Sequence, residues 1–136
     1  MTDTTTQDGG AALHEVRDAL RRFAQEREWE RFHTPKNLAM ALSGEVGELI
    51  EHFQWLPSEA SGVLDERARK AVEEEVADVF LYLVRLADVL DIDVLAAARS
   101  KMDLNARRYP VAKARGHARK YDRLDAPEDK GPSPES

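Results

Sequence analysis

Three internal prolines, Pro35, Pro57 and Pro110, divide the chain into stretches whose apolar residues recur every three or four positions, with no β-type alternation between them. Such a chain buries its apolar residues most readily as helices laid side by side, because each proline closes one helix before the next begins. Four helices are read. The first runs from about Ala12 to Glu30, with Leu13, Val16, Leu20 and Phe23 on one stripe; the others run from about Lys36 to Trp55, Glu66 to Leu90, and Val94 to Arg108. Short connections suit antiparallel neighbours, so the expected fold is all-α, a four-helix bundle over residues 11–124. Residues 1–10 are polar and residues 125–136 hold three of the six prolines, so both ends are read as disordered tails.

The third helix adds a constraint. Its segment VFLYLVRL, Val79 to Leu86, is apolar almost all round, more than one wet-faced helix of a small monomer can cover, and a homo-oligomer is expected. With no cysteine among 136 residues, disulfides, zinc-thiolate sites and thiol nucleophiles are excluded. The N-terminus lacks a signal-peptide pattern and no long apolar run occurs, so a cytoplasmic protein with no membrane partner is expected. The net charge of −6 argues against general nucleic-acid binding, but the charge is segregated. Ser43 to Asp91 carries 12 acids against 4 bases, whereas Arg99 to Arg123 carries 9 bases against 2 acids.

Within the acidic centre one pattern is written twice. Aligning Glu45 with Glu75 also aligns Glu48 with Asp78, and Leu42, Val46, Leu49 and Phe53 with Val72, Val76, Val79 and Leu83. At about 100° per residue, each helix carries a carboxylate pair on the shoulder of its apolar stripe. If the stripes pack together, Glu45, Glu48, Glu75 and Asp78 face one space, where their mutual repulsion calls for a cation. Oxygen donors without cysteine point to Mg²⁺, with Mn²⁺ as a substitute. A di-iron site wants a Glu-x-x-His on each of two helices, and neither carboxylate pair has it; His52 stands four residues after Glu48 instead.

Mg²⁺ favours a few carboxylates, several waters and a substrate phosphate, so a phosphate ester or polyphosphate is the natural substrate and hydrolysis the natural reaction. Glu48 is the carboxylate assigned to orient the attacking water. In the fourth helix Lys101, Asn105 and Arg108 share one face, with Tyr109 adjacent, and supply donors for phosphate oxygens. Trp29 and Trp55, read as helix ends, can wall a pocket and stack on a base, and Tyr82 lies one turn beyond Asp78. No Walker-type loop or nucleophile elbow occurs. His14, His33 and His117 have no usable spacing and are assigned to the surface.

The strings EREWERFHTPKNLAMALSGEVGELIEHFQW, EEEVADVFLYLVRLADVLDID and KMDLNARRYPVAKARGHARKY resemble the MazG-like all-α nucleoside triphosphate pyrophosphohydrolases, most of all their dCTP pyrophosphatase branch, over about Leu13 to Leu124. That resemblance implies Mg²⁺-dependent hydrolysis of a (deoxy)nucleoside triphosphate to the monophosphate and pyrophosphate, which clears unwanted nucleotides from the pool. The metal motif falls on Glu45, Glu48, Glu75 and Asp78, with Gly44 where the family has its first glutamate. The resemblance also implies that Trp29 and Trp55 wall the base pocket, that Tyr82 and Asn105 approach the sugar, and that Lys101, Arg108 and Tyr109 contact phosphate or sugar. At Leu20 it implies a histidine that this chain lacks. Dimers or dimers of dimers are implied as well. Two other readings stand beside this one: a non-catalytic nucleotide-binding helical oligomer with a structural cation site, and a phosphohydrolase that releases orthophosphate.

Overall fold

The computed structural model describes residues 4–125, with side chains from Gly9 onward. These residues form six α-helices and two single 3₁₀ turns, with no strand among them. No helix among them is long and apolar enough to cross a membrane. Residues 126–136, most of the expected C-terminal tail, lie outside the described residues.

Helix α1 (Thr4–Glu26) starts about two turns ahead of Ala12, so Thr4 to Gly10, expected as tail, continue the helix instead. Elongation fixes one residue per hydrogen bond once a nucleus exists, which lets polar residues extend a helix that they could not start. Its C-terminus comes earlier than Glu30. Glu28 adopts φ 52°, Trp29 N donates to Ala24 O at 2.9 Å, and the chain leaves the helix through a Schellman-type turn. The following residues form a 3₁₀ turn at Glu30–Phe32.

Helix α2 (Pro35–Glu51) starts where its sequence dictates. Thr34 Oγ1 accepts from Asn37 N at 3.2 Å, Pro35 occupies the first turn, and Asn37 Nδ2 donates back to Phe32 O at 3.1 Å. The helix stops at Glu51, four residues short of the expected Trp55. From His52 to Leu56 the backbone tightens, with i→i−3 bonds that include Phe53 N to Ile50 O and Leu56 N to Phe53 O, both 2.9 Å. Pro57 ends the run, since the residue before a proline is pushed out of helical conformation. A single helical turn, α3 (Ser58–Ser61), follows it.

Helix α4 (Glu66–Val89) is capped by Asp65, whose side chain accepts from Ala68 N at 2.8 Å. Its exit repeats that of α1: Asp91 has φ 55° and Ile92 N donates to Ala87 O at 2.8 Å. Helix α5 (Val94–Arg108) matches its expected limits, and Pro110 then opens a one-turn α6 (Val111–Ala114).

The chain divides into two compact units at Val94/Leu95. In the first, α4 packs along α2 and, less extensively, along α1. Its interior is slender: Ala24, Leu38, Val84 and Ala87 are the buried apolar side chains among the described residues, joined by the guanidinium-bearing Arg85. The twice-written stripe divides. Leu42, Leu49, Phe53, Val72 and Val79 are half-buried between helices, whereas Val46, Val76 and Leu83 are exposed.

Candidate functional site

Packing α2 against α4 brings the carboxylates of Glu45, Glu48 and Glu75 together, with one oxygen from each within 4.8 Å of the others. Glu45 and Glu75 come from within their helices and Glu48 from the last turn of α2, so the cluster is carried by two helical rods rather than by loops. Glu45 and Glu75 are half-buried, and an Oε2 of each is buried without a hydrogen-bond partner. An orphaned buried carboxylate oxygen is costly and calls for a donor or a cation. Burial, then the nearby charges of Glu48 and Asp78, pushes Glu45 up to about 7. Glu75 is also raised, by burial first and Glu48 second. An all-oxygen donor set of this kind fits a hard divalent ion.

Asp78, the fourth expected ligand, is not part of this three-residue cluster. It bears on it through charge and lies one turn of α4 beyond Glu75, on the wall of an adjoining cavity. His52, which caps the end of α2, brings Nε2 to 4.0 Å from Glu75 Oε1 across the helix pair.

That cavity, about 360 Å³, is lined by Leu20, Phe23, Trp29, His33, Asp78, Leu81, Tyr82 and Arg85. Trp29 reaches it because the Glu28 turn folds the chain back: its ring meets Phe23 edge-on at 5.6 Å and His33 at 6.4 Å. Trp29 and Tyr82 are therefore brought together beside Asp78 on one cavity wall. Trp55 is not. It stands beyond the end of α2, 87% exposed, and is absent from the cavity wall.

His33 departs most from its expected surface position. Its Nδ1 accepts from Arg85 Nε at 3.0 Å, and burial, followed by the Arg85 charge, holds its pKa below the usual imidazole range. Arg85 in turn reaches Asp88 Oδ2 at 3.4 Å, and Asp88 receives Nε of Arg21 at 2.7 Å. One signal for this network was in the sequence: Arg85 is the lone charge within VFLYLVRL, and a charge inside an apolar run must find partners.

In the second unit, Lys101 and Asn105 are exposed on α5. Arg108 lies over the ring of Tyr121 at 4.7 Å, and Tyr109 meets the same ring edge-on at 6.4 Å. Tyr121 was not singled out by spacing, since it sits twelve residues beyond Tyr109 across Pro110.

Residues 40–124 match the MazG-like family. The chain is 49% identical over 114 residues to dCTP pyrophosphatase 1 of Bos taurus, covering 82% of this chain and 68% of that protein. It is 48% identical over 114 residues to dCTP pyrophosphatase 1 of Homo sapiens, covering 82% and 67%. The fold is similar to the crystal structure of a pyrophosphatase from Archaeoglobus fulgidus, with a TM-score of 0.69 and 46% identity over 73% of this chain and 93% of that one. With its paired carboxylates on α2 and α4 and a match over most of its described length, the chain belongs to the MazG-like family.

Proposed function

We propose that this protein hydrolyses (deoxy)nucleoside triphosphates, foremost dCTP-like pyrimidine nucleotides, to the monophosphate and pyrophosphate in a Mg²⁺-dependent reaction that cleans the nucleotide pool. The observation that carries this reading is the convergence of Glu45, Glu48 and Glu75, with two orphaned buried oxygens, near an aromatic cavity that Asp78 lines. Relatives named dCTP pyrophosphatase support the reaction and the substrate class.

Glu45, Glu48 and Glu75 would hold the ion, with Asp78 completing the acidic edge toward the cavity. A bound Mg²⁺ offsets triphosphate charge and lowers the pKa of water. Of this chain's own groups, Glu48 is the most exposed of the three and accepts the proton of the attacking water or orients it. Trp29 and Tyr82 take the base and sugar in a largely apolar cavity, which excludes water from that end of the substrate. Lys101, Asn105, Arg108 and Tyr109 complete the proposed set as contacts to phosphate or sugar; Trp55, exposed and outside the cavity wall, does not reach the base within one protomer.

The reading includes a homo-oligomer. Val76, Phe80 and Leu83 form an exposed apolar line along α4, and Val72 and Phe80 line a groove of about 390 Å³ with Leu64. A second copy of this face is the partner of matching chemistry. The protein then works on free nucleotides in the cytoplasm.

The test is a panel of deoxynucleoside triphosphates assayed for pyrophosphate and orthophosphate, with Mg²⁺ and with EDTA. Pyrophosphate that appears with Mg²⁺ and vanishes with EDTA is the expected result. Orthophosphate in its place means a different phosphohydrolase. Nucleotide-dependent thermal stabilisation without product means a non-catalytic binding protein.

A further inference from the structure

The cavity beside the carboxylates has an apolar wall and few polar groups, and in such a pocket the few polar groups decide which way a ligand lies. With Asp78 assigned to the acidic edge, and Trp29 and Tyr82 to the faces of the base and sugar, the polar groups left for the edge of a base are His33 and Arg85. Arg85 is spent within the protein. It is 9% exposed, its Nε donates to His33 Nδ1 at 3.0 Å, and a terminal nitrogen lies 3.4 Å from Asp88 Oδ2.

The first of these bonds fixes the state of the imidazole. A guanidinium has no lone pair to offer and keeps its protons, so the nitrogen that faces it must be the unprotonated one. His33 therefore carries its single proton on Nε2 and is neutral, in keeping with the lowering of its pKa by burial and by the Arg85 charge. Its Nε2 makes no hydrogen bond to another described residue. A half-buried ring on a cavity wall, with one nitrogen satisfied by the protein and the other holding an unspent N–H, is a donor open to a ligand acceptor.

We propose that His33 is a specificity-determining residue: its Nε2–H donates to an acceptor atom on the edge of the bound nucleobase, a carbonyl oxygen or an unprotonated ring nitrogen. Arg85 is its positioning residue, held in turn by Asp88 and Arg21 through a bidentate pair. This rests on the reading that the cavity takes the base. A base is favoured when it turns an acceptor toward His33 and disfavoured when it turns an amino group there, because two donors then face each other without water between them.

The experiment measures binding of dCMP and of 2-deoxyribose 5-phosphate, which lacks the base, by calorimetry, alongside pyrophosphate release. In the wild type, dCMP binds more tightly than the sugar phosphate. His33→Leu weakens dCMP by about tenfold and leaves the sugar phosphate unchanged, while His33→Gln, which retains an N–H donor, recovers part of the loss. Imidazole ¹⁵N shifts report the Nε2–H tautomer in the wild type and a tautomer mixture in Arg85→Met, which also weakens dCMP alone.

A charged ring or an Nδ1–H tautomer in the wild type overturns the proposal. Equal loss of both ligands in His33→Leu, no loss of either, or no dCMP binding by the wild type also overturns it. Pyrophosphate release with a His33→Leu variant that binds dCMP normally sinks this inference and spares the proposed function. His33-dependent dCMP binding without pyrophosphate from any nucleotide does the reverse.

Discussion

Arg21 of α1 grips Asp88 of α4 with two guanidinium nitrogens, and the carboxylate is nearly buried while the arginine is half-exposed. This pair joins the first helix to the third long one at the level where Arg85 turns toward His33. Arg21→Met leaves Asp88 with only its longer contact to Arg85, and a lower unfolding midpoint is expected in denaturant titration. The hydrogen bond from Arg21 holds the Asp88 carboxyl below the usual carboxylate range. A depressed carboxylate contributes stability that is whole above its unfolded pKa, about 4, and drains away as pH falls through the folded value. The stability gap between wild type and Arg21→Met should therefore be constant near neutrality and close below about pH 4.

The acidic cluster titrates in the opposite sense. Glu45 is pushed up to about 7 and Glu75 is also raised, so the metal-free folded protein binds more protons there than the unfolded chain. Its stability should fall as pH rises from about 5 to about 8, and saturating Mg²⁺ should remove or reverse that slope. Calorimetric Mg²⁺ affinity should climb by up to about tenfold per pH unit below pH 7, with proton release on binding. Melting curves that are flat across this range without metal would contradict it.

Glu48→Gln and Asp78→Asn keep size and helix propensity while removing charge. Each should lower pyrophosphate release by about a hundredfold or more with the helical circular dichroism unchanged. Unchanged turnover in either variant would remove that residue from the chemistry.

Two helix exits use acidic residues in a left-handed conformation, Glu28 at φ 52° and Asp91 at φ 55°. Side chains with a Cβ pay there and glycine does not, so Glu28→Gly and Asp91→Gly should each stabilise by about 0.5–1 kcal/mol in urea titrations. Glu28→Gly is the more informative of the two, because Trp29 follows it directly into the cavity wall.

Phe80 lies on the exposed line of α4, 45% exposed. Phe80→Glu should shift the protein to a smaller species in sedimentation velocity at micromolar concentration, since a charge in an apolar interface costs several-fold to many-fold in association. An unaltered sedimentation coefficient would take this face out of the proposed assembly.

Much of the scaffold was legible because its signals are local. The start of α2 beside Pro35, the start of α4 at Glu66 and the whole span of α5 follow from neighbours in sequence. The convergence of Glu45, Glu48 and Glu75 was legible too, since a helical period written twice fixes which side chains share a face. The early exits of α1 and α2 were not. Neither Glu28 nor His52 is a residue that announces a helix end, and the expected roles of Trp29 and Trp55 parted company as a result: one is folded back into a cavity, the other left in solvent. His33 and Arg85 are 52 positions apart, and no period connects a residue in a turn to one in a helix. Only the packing of α4 beneath that turn brings them together.

The slender interior of the first unit has its own corollary. With only Ala24, Leu38, Val84 and Ala87 as buried apolar side chains among the described residues, a lone protomer has little to hold it rigid. In the proposed oligomer, folding and assembly would form one equilibrium, in which dilution acts as denaturant does on a self-sufficient domain. The abundance of the chain would set both the number of sites and the sharpness of each one.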